Sequence, residues 1–87
     1  MIEYQKFGSY LEKLNGKPVY ITFEEIEKIL GEKLPDSAYQ YDAWWSNSDS
    51  HPLMKIVLSK NWKSKNLDLN LKQIEFYDST DPRSGLL

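Results

Sequence analysis

The feature that most constrains this chain is the run Thr22-Phe23-Glu24-Glu25, which has the spacing of a helix capping box. In that motif the threonine hydroxyl and the glutamate carboxylate satisfy amides that the first helical turn leaves free, and Ile21 and Ile26 stand at the spacing of a hydrophobic staple. A helix therefore starts at Phe23, turns Phe23, Ile26, Ile29 and Leu30 to one side, keeps its acids near the positive end of its dipole, and ends at Gly31. Directly before it, Pro18-Val19-Tyr20-Ile21 is short, β-prone and bounded by Gly16, which predicts one strand. A lone strand must pair with something later in the chain, so the fold is α+β.

The remaining elements follow from periodicity. Tyr4, Phe7, Tyr10, Leu11 and Leu14 recur at helical spacing before Asn15-Gly16 and predict a helix over Ile2 to Leu14. After Leu34-Pro35 a short helix can begin at Asp36 or Ser37 and leads into an aromatic stretch holding Tyr39, Tyr41, Trp44 and Trp45. The polar run from Ser46 to Ser50 is turn chemistry, and Pro52 opens a further helix to Lys60 with Leu53, Ile56 and Val57 inward. Trp62 to Leu69 and Gln73 to Tyr77 read as a hairpin with its turn at Asn70 to Lys72. Trp62 and Ser64 fall on one face and Leu67 and Leu69 on the other, a break that a bulge near Lys65 and Asn66 would reconcile. One domain over residues 1–77 and a mobile tail over 78–87 is the expected organisation.

A chain of 87 residues supports one core, and 40% apolar with 14% aromatic residues supplies the large side chains that hold it. The absence of cysteine excludes disulfides, thiolate metal sites and cysteine nucleophiles. Met1 to Lys6 has no signal-peptide pattern and no window approaches the roughly 18 apolar residues of a membrane span, so a cytoplasmic protein without membrane contact is expected. The net charge of -2 is small, but it is unevenly spread: Glu24, Glu25, Glu27, Glu32 and Asp36 make one acidic segment. Lys55, Lys60, Lys63 and Lys65 make an acid-free basic one.

Helix, strand, helix, helical region and hairpin is the order of a winged helix domain, and the chain resembles that fold over Tyr4 to Tyr77. The resemblance implies that the early strand pairs with the hairpin, that Pro52 to Lys60 enters a nucleic-acid groove, and that Asn70 to Lys72 is the wing tip. The segment from Leu34 to Ser50 departs from it, being longer than the usual connection of a few residues. A second resemblance rests on Ile21-Thr22-Phe23-Glu24-Glu25-Ile26-Glu27, Leu34-Pro35-Asp36-Ser37-Ala38, Ala43-Trp44-Trp45-Ser46-Asn47, His51 and Asn61-Trp62. This series is similar to an uncharacterised bacterial domain family, and the similarity implies no catalytic residue.

The chemistry-bearing residues favour binding over catalysis. His51, the one histidine, precedes Pro52 at a helix start, where a cap or surface role outweighs that of ligand or base. The capping box and helix dipole account for the acids near Glu24, and the four glycines are too scattered to cradle a phosphate. No metal, cofactor or enzymatic activity is expected. The leading expectation is nucleic-acid binding through a lysine face of Lys55, Lys60, Lys63 and Lys65 with Asn47 and His51. With no arginine before Arg83, phosphate contact is favoured over base reading. The alternative is a protein-interaction module or small inhibitor that docks through Trp44, Trp45 and Tyr41; against it stands the reading that both tryptophans plug the core beside Tyr39 and Trp62.

Overall fold

The capping box forms as its spacing requires. In the computed structural model, which describes residues 2–80, the Glu25 N–H donates to Thr22 Oγ1 at 3.1 Å. The Thr22 N–H and hydroxyl donate to the Glu25 carboxylate at 3.0 and 2.9 Å. Helix α2 accordingly spans Phe23–Leu30 and stops at Gly31, whose φ of 76° closes the helix in the left-handed conformation.

The strand before it, β1 (Val19–Thr22), does pair with the hairpin. It runs antiparallel to β3 (Gln73–Asp78), which also pairs with β2 (Trp62–Asp68), so the three-stranded sheet has the order β1-β3-β2. Ile21, Ile74, Phe76, Trp62 and Ser64 line its buried face. The expected bulge is present: Lys65 stands opposite Glu75 and Asp68 opposite Gln73, with Asn66 at φ 54° taking up the extra residue. That shift turns Leu67 inward against the core.

Helix α1 covers Gln5–Glu12, shorter than the expected span because Tyr4 gives it no side-chain cap and the chain reverses at Asn15 and Gly16. Phe7 and Leu11 face inward as expected. Helix α3 (Asp36–Gln40), a 3-10 helix (Asp42–Trp45) and α4 (Pro52–Ser59) complete the layer over the sheet. Gly8 lets α1 and α4 close up, since a Cβ there would stand 2.9 Å from Ile56 Cγ2.

Trp44 and Trp45 are both core residues, at 2% and 1% exposure. Adjacent residues point in different directions, but the 3-10 helix is wrapped on both sides. Trp44 meets Tyr4 and His51, while Trp45 stacks on Phe23 with ring centroids 4.4 Å apart. The expected tail boundary also moves. Strand β3 reaches Asp78, and Ser79 donates from its N–H and hydroxyl to the Asn61 carbonyl at 2.8 and 2.6 Å. The rest of the expected tail, 81–87, lies outside the described residues.

Hydrogen bonds from the Thr22 backbone and then its hydroxyl hold the Glu25 carboxyl below its ordinary value of 4.5. A lowered folded-state value means the stabilisation is present above 4.5 and is lost as pH falls through the lower value. The thermal midpoint should therefore drop between about pH 5 and pH 3 more steeply in the wild type than in Glu25→Gln, which gains no proton there. Parallel curves for the two proteins would remove the box from the acid response.

Candidate nucleic-acid interface

Side chains alternate across a strand, so burying Trp62 and Ser64 sends Lys63 and Lys65 to the other face of the sheet. Lys63 lies opposite Tyr77, and Lys65, Glu75 and Tyr20 form one row across all three strands. This face stays open to solvent: Tyr20 is 51% exposed, Lys63 is exposed, and Lys65, Glu75 and Tyr77 are half-buried. Lys65 Nζ lies 3.9 Å from the Glu75 carboxylate and 4.9 Å from the centre of the Tyr77 ring, an aromatic–cation contact. Asn66 Nδ2 donates to Glu75 Oε1 at 3.0 Å, and Gln73 Nε2 donates to the Tyr20 hydroxyl at 3.2 Å. Lys63 has no ion pair among the described residues, so its ammonium is available to a phosphate.

The other expected contact residues are not brought to this face. Lys55 leaves α4 on the side away from Leu53 and Val57, in the helical layer behind the sheet. Lys60 ends α4 against α1, with Nζ 2.7 Å from Glu12 Oε1. The four lysines thus occupy three settings rather than one face, because α4 and β2 are packed layers and the chain turns sharply between them at Asn61, φ 63°. His51 is half-buried with its ring 6.0 Å from that of Trp44, which explains its place as a packed helix-start residue.

Asn47 is a structural clamp. Its Nδ2 donates to the Ser64 carbonyl at 3.0 Å and its Oδ1 accepts from the Ser64 N–H at 2.8 Å. The amide thereby stands in for a neighbouring strand on the outer edge of β2, where unpaired backbone groups would otherwise face solvent. Ser64 Oγ also donates to the Trp45 carbonyl at 2.7 Å. Both Asn47 amide groups are engaged, so it is not a free reader of bases. Of the alternative docking set, Trp44 and Trp45 are core and Tyr41 alone is at the surface, 59% exposed.

A profile for a domain of unknown function, DUF7662, matches residues 4–78. The chain belongs to that family. No curated protein and no solved structure matches it. Within this DUF7662 domain the acids of α2 are accounted for by the fold. Glu27 accepts from the Leu34 N–H at 2.8 Å, and the Tyr39 pKa is pushed up to about 12 by burial first and by the nearby Glu27 carboxylate second. Glu24 pairs with Lys28 at 3.6 Å in full solvent, a contact of little energetic weight. Among the described residues no group of three or more His, Cys, Asp or Glu is placed to hold a metal ion, and no helix is long and apolar enough to cross a membrane.

Sequence reasoning missed Tyr20 and Tyr77 as members of the open face. The signal was available in the alternation: Ile74 and Phe76 read as inward, which leaves Glu75 and Tyr77 outward beside Lys63 and Lys65.

Asn47→Ala removes both edge bonds and should lower stability by about 1–2 kcal/mol in urea unfolding, with nucleic-acid affinity unchanged while the protein stays folded. A wild-type unfolding midpoint, or an affinity loss in the folded variant, would return Asn47 to the binding surface.

Proposed function

We propose that this domain is a non-catalytic, cytoplasmic nucleic-acid-binding module of winged-helix type that engages its ligand through the open face of the hairpin rather than through α4. The observation that carries the reading is the placement of Lys63 and Lys65 on that face, one exposed and one half-buried, with no helix over them among the described residues. Element order and the pairing of β1 with β3 support the winged-helix comparison, with Asn70 to Lys72 as the wing tip. Helix α4 is a poor groove reader. Leu53, Met54 and Val57 are buried, Ile56 and Leu58 are half-buried, and its exposed positions are Pro52, Lys55 and Ser59.

Two ammonium groups on one face suit phosphate contact without base discrimination, since lysine is a point charge that any phosphate satisfies. Binding of this kind is weak and salt-sensitive: two neutralised phosphates give a slope of roughly -2 in log affinity against log salt. The protein's net charge of -2 adds no long-range attraction.

Exposure of Tyr41 and Leu71, at 59% and 65%, favours a second reading, a protein-interaction module that docks at those side chains rather than at the buried tryptophans.

Fluorescence anisotropy with labelled DNA and RNA at about 50 and 200 mM salt distinguishes the two. The Lys63→Gln, Lys65→Gln double variant should lose about tenfold or more in affinity while Lys55→Gln binds as the wild type. Equal losses for Lys55→Gln would move the interface to α4, and no binding at the lower salt would leave the protein-interaction reading.

A further inference from the structure

The open face holds two aromatic rings as well as two lysines, and they are arranged for a particular ligand. Tyr20 on β1 stands opposite Glu75, and Tyr77 is two residues along β3 on the same face. Diagonal neighbours of this kind lie roughly 7–8 Å apart, so both rings can be reached by neighbouring nucleotides of one strand. We infer that the ligand of this face is single-stranded nucleic acid, with one base stacked on Tyr77, a second on Tyr20, and Lys63 and Lys65, on β2 beyond Tyr77, on phosphates of the same strand. The inference rests on the reading above and names the ligand class of the same site.

Three observations lead to a single strand rather than a duplex. Both rings are on the outward face, Tyr20 exposed and Tyr77 half-buried beneath Lys65, and base–aromatic stacking requires unpaired bases that present their faces. Lys65 Nζ already sits 4.9 Å over the Tyr77 ring, so the movement that brings its ammonium to a phosphate also uncovers the ring. A duplex would present a convex double row of phosphates to a small sheet with two lysines, and α4 offers its groove one lysine and one serine. Beside the rings, the Asn66 amide donates to the Glu75 carboxylate at 3.0 Å, so these two groups satisfy each other and leave stacking and phosphate contact as the modes of binding. Glu75 also adds a negative charge that Lys65, at 3.9 Å, offsets.

The test uses the full chain and a labelled mixed-sequence oligonucleotide of about 12 nucleotides as single-stranded DNA, as single-stranded RNA, and annealed to its complement. Both single strands should bind more tightly than the duplex. Tyr77→Leu keeps apolar bulk but loses the ring and should weaken single-strand binding about five- to tenfold, while Tyr77→Phe keeps the ring and should bind as the wild type. The salt slope should stay unchanged in Tyr77→Leu, because the lysines are intact; circular dichroism confirms that the variant is folded. A preference for RNA over DNA would add a 2′-hydroxyl contact and still support a single-strand site. Duplex binding as tight as single-strand binding, lost in the lysine variant but not in Tyr77→Leu, would overturn this inference and leave the phosphate reading standing. Absence of binding by all three ligands would overturn both.

Discussion

Burial of the Trp45 indole, with every polar group around it satisfied, is the condition on which the rest of the structure depends. Its N–H donates to the Ala38 carbonyl at 2.7 Å, its ring stacks on Phe23 of α2, and it meets Trp44 edge to face at 4.7 Å. Its backbone carbonyl accepts from Ser64 Oγ in β2. One residue thus ties α3, α2 and the sheet together across the centre of a small core. An indole N–H buried without its acceptor would cost about 1–3 kcal/mol, a sizeable share of the stability of so short a chain. Among the described residues no buried side-chain polar atom is left without a partner, so this tie is complete.

Other polar side chains are taken up by the fold in the same way. Thr22 and Glu25 close the capping box, Glu27 holds the Leu34 amide, Ala38 receives the indole, and Asn47 clamps the edge of β2. These side chains are occupied by the fold. The outward residues of the sheet, Tyr20, Lys63, Lys65, Glu75 and Tyr77, stand outside this set and combine charge with aromatic surface, which is why the proposed interface is put there.

Much of the fold was legible because its signals were local. The capping box fixes α2 from four adjacent residues, and the bulge showed itself as a break in alternation between Ser64 and Leu67. Those signals need no knowledge of distant contacts. The fate of Trp44 and Trp45 was not legible, since burying neighbouring rings takes a 3-10 helix enclosed by α2, α3, α4 and β2, which no local period announces. Asn47 read as a turn former because its partner, Ser64, is 17 residues away. The lysines misled for a related reason. Closeness in sequence from Lys55 to Lys65 suggested a common face, yet a helix end, a left-handed turn at Asn61 and a change of layer lie between them.

The bulge at Asn66 links fold to the proposed surface. In an unbroken strand Leu67 would follow Lys63 and Lys65 to the open face, since all three share odd positions of a period of two. The extra residue changes the phase after Lys65, turns Leu67 into the core and ends the outward strip at the lysines. Asn is suited to that position because its short polar side chain tolerates the left-handed backbone, and here its amide also reaches Glu75. A hydrophobic side chain is thereby withdrawn from a face that keeps two lysines, two tyrosines and a neutralised carboxylate. Helix α4 reaches the opposite state by close packing: Gly8 brings α1 against it, Lys60 is paired with Glu12, and one narrow side remains in solvent. Packing that closes α4 and a bulge that keeps the hairpin face polar are the two physical reasons why the proposed interface lies on the sheet rather than on the helix.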